Sequence, residues 1–346
     1  MPAPRLDPAF IVGGPLAAKC GIVTAADIPS ERWAALAGRL FERFGSAPSP
    51  HDTRVHRYYL PVYFWLRQQL DARPADSPPL CVGLQCVQGG GKSTLVGALE
   101  ALFDADGGKR CVVASLDDFY LPREGLDRVA REHRHNRLLQ VRGNPQTHDI
   151  ELCASTLQQL RAQRQSAQPA SVRVPRFDKE AFSGRGDRLP AERWAEVRAP
   201  ADVVLLEGWC LGFRAVRPKG ESELATPELA PVDEALCAFE HVYALLDALV
   251  VIQVASAAVV FRWREEAEAR ARRDGRGAMS EAEVRAFVEC YMPAYTQYLA
   301  PLYGEGEGGS GVCAGRPQLR FFIDEAREPC SDATRAAGNE LLLGRG

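Results

Sequence analysis

Residues 83–94 read GLQCVQGGGKST, a glycine run followed by Lys, Ser and Thr, and this is the spacing that gripping a phosphate requires. Glycine lets the backbone approach an anion closely, successive N–H groups form an anion nest, and a helix starting there adds a favourable dipole. On the G-x-x-x-x-G-K-[ST] pattern Lys92 contacts the β- and γ-phosphates, Ser93 offers its hydroxyl to Mg2+, and Gly89, Gly90, Gly91 and Thr94 line the nest. The first Gly of the pattern is replaced by Cys86. A thiol beside Lys92 and a helix N-terminus would favour thiolate, whereas the plainer alternative is a small buried residue standing in for Gly. A merely flexible turn fits poorly, because the glycines lie between an apolar run and a helical pattern.

Three further groups carry charge in useful places. SLDDFY at 115–120 follows the next apolar run, at the end of a strand where ligands of open α/β sheets gather. Asp117 or Asp118 there would accept the proton of an attacking hydroxyl, although a cap or a solvated loop pair also explains two adjacent carboxylates. Glu207 ends the run ADVVLLEG and is placed like the acidic residue that holds Mg2+ or its water after a Walker-B strand. FRWREEAEARARRDGRG carries Arg262, Arg264, Arg270, Arg272, Arg273 and Arg276 on a helix and its following turn. A lid around 262–278 would use one or two of these, Arg264 first, to neutralise charge on a transferred phosphoryl group. Glu265, Glu266 and Glu268 equally fit a solvated, salt-bridged helix.

Positioning these groups requires alternating elements. PLCVGLQCV, KRCVVASL, ADVVLLEGW, DALVVIQV and QLRFFID read as short buried strands separated by helical patterns such as STLVGALEALF. That alternation predicts a P-loop NTPase-type three-layer α/β/α fold with a mostly parallel sheet, plus N-terminal helices. The predicted domains are an irregular and helical extension at 1–76 and a kinase-like core at 77–346. Ser30 is the expected N-cap of the helix in PSERWAALAGRLFERF. Segments 215–235 and 303–315 read as surface excursions.

Composition excludes several classes. The 346 residues are 46% hydrophobic, enough for a sizeable core, and a net charge of −3 leaves no overall field to draw the chain onto nucleic acid or an anionic membrane. The ten cysteines show no C-x-x-C pair and read as reduced, buried thiols. The most apolar window, 248–261, is too short for a bilayer span. The expectation is a soluble, cytoplasmic protein, with the chloroplast stroma as the alternative.

RVHRYYLPVYFW, QGGGKSTL, SLDDFYL, RGNPQTHD, VPRFDKEAFSGRGDR, LLEGWCLGF, VVFRWREEAEARARRDGRGAMS and YMPAYTQYL follow one another in order. Together, from about residue 54 to about 329, they resemble the D-glycerate 3-kinases of plant and related type, within the P-loop kinases that include uridine kinase, pantothenate kinase and phosphoribulokinase. The loop departs from that family's usual wording at Val87 and Gly90. The resemblance implies transfer of the ATP γ-phosphoryl group, with Mg2+, to the 3-hydroxyl of D-glycerate, as in photorespiratory carbon recovery. It also implies Asp117 as the catalytic Asp and Asp149 as a substrate-binding Asp.

A small anionic acceptor needs a cationic partner for its carboxylate. Arg142, Arg176, Lys179, Arg185 and Arg188 are the candidates; Arg142 and Arg185 are preferred, and at least two of the five are expected to pair with Asp149, Asp178 or Asp187 and only hold loops together. The alternatives are a kinase of a nucleoside or pantothenate-like acceptor, and a P-loop regulator that hydrolyses ATP slowly. The regulator has no need of the SLDDFY and VPRFDKEAFSGRGDR blocks.

Overall fold

The computed structural model describes residues 5–166, 170–216, 224–275, 279–304 and 311–331. In chain order the helices are α1 (Pro8–Val12), α2 (Ser30–Phe44), α3 (Leu60–Asp71), α4 (Lys92–Ala105), α5 (Arg123–Glu132) and α6 (Ile150–Gln163). They continue as α7 (Ala230–Leu236), α8 (Glu240–Tyr243), α9 (Val259–Arg273), α10 (Glu281–Glu289) and α11 (Met292–Leu302). The strands are β1 (Leu80–Cys86), β2 (Cys111–Ser115), β3 (Val172–Val174), β4 (Phe177–Asp178) and β5 (Asp187–Arg188). They continue as β6 (Ala195–Val197), β7 (Val203–Gly208), β8 (Ala248–Gln253), β9 (Gln318–Ile323) and β10 (Pro329–Cys330).

The main sheet runs β10-β9-β8-β1-β7-β2, parallel throughout except for β10 at one edge. Strands β1, β7 and β8 are buried along their whole length, as continuous apolar runs covered on both faces must be. These are the strands expected from sequence, in the expected α/β layering. Two small antiparallel pairs, β3 with β6 and β4 with β5, lie outside the main sheet. Register sets the functional edge: Glu207 is level with Ser115 on β2 and with Leu84 on β1. The chain therefore leaves β1, β2 and β7 on the same side, where the charged groups collect.

Three local expectations are corrected. Ser30 is the first residue of α2, not its cap; the Pro29 carbonyl accepts the Trp33 N–H at 2.8 Å, so the helical ladder starts one residue earlier. The described part of 215–235 is not a surface excursion throughout, because Leu229, Val232 and Asp233 are buried; residues 217–223 lie outside the described residues. Likewise Val312 and Cys313 are buried in 303–315, of which 305–310 lie outside the described residues. Among the described residues, no helix is long and apolar enough to cross a membrane.

The N-terminal helices share one continuous core with the sheet: Trp33, Leu40 and Phe41 of α2 belong to the same buried cluster as Leu84 and Leu99. A polar clasp fastens them. Asp106, just after α4, accepts from Arg32, Arg67 and the Tyr63 hydroxyl. Partial burial acts against its charge, but these donors hold its carboxyl below the ordinary range. Replacing Asp106→Ala should strand three donors and cost about 2 kcal/mol of unfolding free energy. Urea denaturation followed by tryptophan fluorescence measures this, and a loss well under 1 kcal/mol would show that the clasp is not structural.

Candidate active site

Strand β1 is followed by the glycine loop and the loop by α4, whose first residue is Lys92. Gly91 caps that helix at φ 88°, a left-handed conformation that a side chain would strain. Ser93 and Thr94 face solvent on the first helical turn, and a Cβ added at Gly91 would meet nothing within 4 Å. The helix N-terminus is thus open to an anion on that side. The Lys92 ammonium donates to the Cys86 and Val87 carbonyls at 2.9 and 3.2 Å, inside the loop. The Gln88 N–H donates to the Tyr295 hydroxyl at 3.0 Å, tying the loop to α11. This geometry fits the phosphates of ATP, with Lys92 and the first turn of α4 as their partners.

The other two glycines of the run are needed for close packing. A Cβ at Gly89 would lie 2.8 Å from the Trp263 Cβ of α9, and one at Gly90 would collide with the Cys86 sulfur. Cys86 is fully buried, and burial pushes its thiol up to about 11 despite the nearby Lys92. The thiolate expectation fails, and the plainer alternative holds: Cys86 is packing, and its sulfur occupies the space beside Gly90.

Asp117 and Asp118 follow β2 on a short 3-10 turn. Burial acts to raise the Asp117 pKa, but the Lys179 ammonium at 2.6 Å and the Tyr120 hydroxyl at 2.9 Å more than offset it, so it sits below the ordinary range. Asp118 goes the other way. Burial raises it, only partly countered by Arg176 at 3.2 Å and the Phe177 N–H. Glu207 is also raised by burial, against the opposing pull of Lys92. Of the three, Asp117 is held most firmly as a carboxylate. Ser93 and Glu207 are the residues that would bind Mg2+, from the first turn of α4 and the end of β7; among the described residues no cluster of three His, Cys, Asp or Glu forms a metal cage.

The basic residues sort differently from expectation. Arg142 donates to the carbonyls of Gly184, Arg185 and Lys179 at 2.6, 2.7 and 3.4 Å, so it staples the loop between β4 and β5. Arg185 pairs with Asp127 at 2.6 Å. Arg188 is half-buried between Asp149 and the Tyr120 carbonyl. Asp149 itself caps α6 through the Leu152 N–H at 3.0 Å. Of the preferred pair, Arg142 is occupied with the scaffold because backbone carbonyls claim its donors, whereas Arg185 gives only Nη2 to Asp127 and is largely exposed. Arg176 engages Nη1, with Asp118 and the Pro175 carbonyl, and among the described residues Nε and Nη2 have no partner, with one third of the side chain exposed.

Among the described residues, Arg264 has its partners on α9 and α10. It pairs with Glu268 at 2.5 Å and stacks over Phe287 of α10 at 4.8 Å. The residue of α9 that lies against the loop is Trp263. Arg276 and residues 277–278 of the expected lid lie outside the described residues. Sequence inspection passed over Trp263 and the Tyr120 hydroxyl, and it ranked Lys179 behind the arginines. The FDK spacing at 177–179, opposite SLDDFY, was the available signal for Lys179.

No protein-family model matches the chain. It is 37% identical over 332 residues to the chloroplastic D-glycerate 3-kinase of Arabidopsis thaliana, covering 92% of this chain and 71% of that protein. It is 32% identical over 285 residues to a probable ATP-dependent kinase of Saccharomyces cerevisiae, TDA10, covering 80% of this chain and 93% of the relative. Among solved structures, a D-glycerate 3-kinase from Cryptococcus neoformans superposes with a TM-score of 0.68 at 28% identity, covering 79% of this chain and 97% of that one.

Two outcomes are expected. Gly90→Ala should cut kcat/KM for ATP about tenfold by overpacking the loop, and the double variant Cys86→Ala/Gly90→Ala should recover most of it. An inactive double variant would mean that sulfur packing is not the reason for glycine there. Lys179 depresses the Asp117 pKa, so Lys179→Met should raise it and move the acid limb of the kcat/KM profile to higher pH. An acid limb that stays in place would show that Asp117 is not the titrating base.

Proposed function

The chain belongs to the D-glycerate 3-kinase family of P-loop kinases, and from that premise we propose how its residues carry out the transfer. It is an ATP-dependent kinase that phosphorylates D-glycerate to 3-phosphoglycerate. Bound Mg·ATP supplies the γ-phosphoryl group. Lys92 and the first turn of α4 bind the phosphates, and Ser93 with Glu207 holds the metal. Asp117 accepts the proton of the 3-hydroxyl.

The observation that carries this assignment is the pairing of Asp117 with Lys179 at the end of β2, one residue from the Arg176–Asp118 pair. A base and cations with spare hydrogen-bonding capacity stand together, which is what an anionic hydroxy acid requires. Arg176, with Lys179 beside it, takes the acceptor carboxylate, because a planar fork with unengaged donors can meet it with two parallel hydrogen bonds. An uncharged nucleoside would make no use of the remaining donors of Arg176, and a regulator that only hydrolyses ATP would need neither cation.

Coupled ADP-release assays with D-glycerate, glycerol, a nucleoside and no acceptor test the reaction. Strong stimulation by D-glycerate alone is expected. Arg176→Met should raise KM for D-glycerate about tenfold or more, leave KM for ATP nearly unchanged, and narrow the preference over glycerol. Unstimulated ATP turnover, or a preference indifferent to Arg176→Met, would remove the respective part of the assignment.

A further inference from the structure

Arg327 belongs to none of the nucleotide or acceptor motifs. It sits in the turn between β9 and β10, closed by the Asp324 N–H to the Glu328 carbonyl at 2.9 Å and the Arg327 N–H to the Asp324 carbonyl at 3.0 Å. Its backbone is left-handed at φ 66°, which is uncommon for a residue with a side chain. From there the guanidinium meets three groups at once. Nε donates to the Gly89 carbonyl of the phosphate loop at 2.7 Å, Nη2 pairs with Glu266 of α9 at 2.9 Å, and the plane lies over the Trp263 ring at 4.8 Å.

The surroundings reinforce that junction. Trp263 packs against Gly89 and donates its indole N–H to the Glu325 carbonyl at 2.8 Å. Arg262 holds the same residue through its carboxylate and, at 3.0 Å, its carbonyl. The phosphate loop, α9 and the β9–β10 turn therefore meet at one side chain.

We propose that Arg327 is a positioning residue for the nucleotide: by tying the Gly89 carbonyl to α9 it holds the phosphate loop in the shape that receives the phosphates of ATP. A run of three glycines has more backbone freedom to lose on binding than any other tripeptide. Fixing one of its carbonyls beforehand removes part of that loss and so tightens binding. A guanidinium is suited to this because its rigid fork serves a carbonyl, a carboxylate and an aromatic face together, which an ammonium cannot. The link also makes any movement of α9 felt at the loop. The inference rests on the nucleotide reading of the loop and is independent of the acceptor.

The test uses the full chain with Arg327→Met, Arg327→Lys and Glu266→Gln, measuring the Kd of Mg·ATP by calorimetry, both KM values, and Tm. Arg327→Met should weaken ATP about tenfold or more and shift KM for D-glycerate less than about twofold, while Arg327→Lys recovers part of the loss. The effects of Arg327→Met and Glu266→Gln should be non-additive, because both act through one junction. ATP affinity within about twofold of the unsubstituted protein overturns the proposal, as does an equal loss for ATP and acceptor accompanied by a lower Tm. Failure of the unsubstituted protein to bind ATP would overturn the nucleotide reading together with this proposal, whereas normal binding with an indifferent Arg327→Met overturns this proposal alone.

Discussion

The site depends on a stretch of backbone from which side chains are excluded, packed on two sides and open on the third. Trp263 of α9 closes on Gly89, the Cys86 sulfur closes on Gly90, and among the described residues nothing lies within 4 Å of where a Cβ at Gly91 would sit. A loop with side chains at those points would either displace its neighbours or lose the turn into α4. The imperfect motif is explained by this packing. Cys86 stands where a phosphate loop usually has glycine, and it is tolerated because the adjoining position lacks a side chain. Lys92 reaches back to the carbonyls of the same loop, so the charge that would meet a phosphate is held within the nest.

Around that loop the sheet register gathers negative charge that must be compensated. Glu207 and Ser115 are level on neighbouring strands, and Asp117 and Asp118 come two and three residues later. Desolvation would drive all of these carboxyls toward their neutral forms; ion pairing reverses that only at Asp117, where Lys179 and Tyr120 converge. Two adjacent carboxyls thus have pKa values displaced in opposite directions by their partners, which separates their roles. The cations are placed by a second economy. Arg142, Arg185 and Arg188 hold the β4–β5 loop, Asp127 and Asp149 in place, so that Lys179 and Arg176 can face the carboxylates.

The N-terminal helices are part of this support. Their aromatic residues share the core behind β1 and α4, and the Asp106 clasp secures them to the end of the helix that starts at the glycine loop. Cys20, Cys81, Cys86, Cys153 and Cys210 are buried free thiols, and burial raises each pKa. They behave as small apolar residues.

What the sequence by itself determined is whatever depends on near neighbours along the chain. Apolar runs of five to seven residues specified the central strands, because a strand covered on both faces has to be apolar throughout. The glycine run before Lys92 specified the strand-to-helix turn, since few residues other than Gly adopt the conformation seen at Gly91. The order of the motif blocks was enough to identify the family. Tertiary structure alone decided which cations are engaged and which have donors to spare. Arg142 and Arg176 look alike in sequence, yet one is consumed by three backbone carbonyls and the other keeps unengaged donors beside Asp118. The same holds for Arg264, turned to Glu268 and Phe287, and for Arg327, 238 residues from the glycine whose carbonyl it binds. Long side chains carry several donors and reach far, so their partners are set by what folding brings near, and no local pattern of residues encodes that.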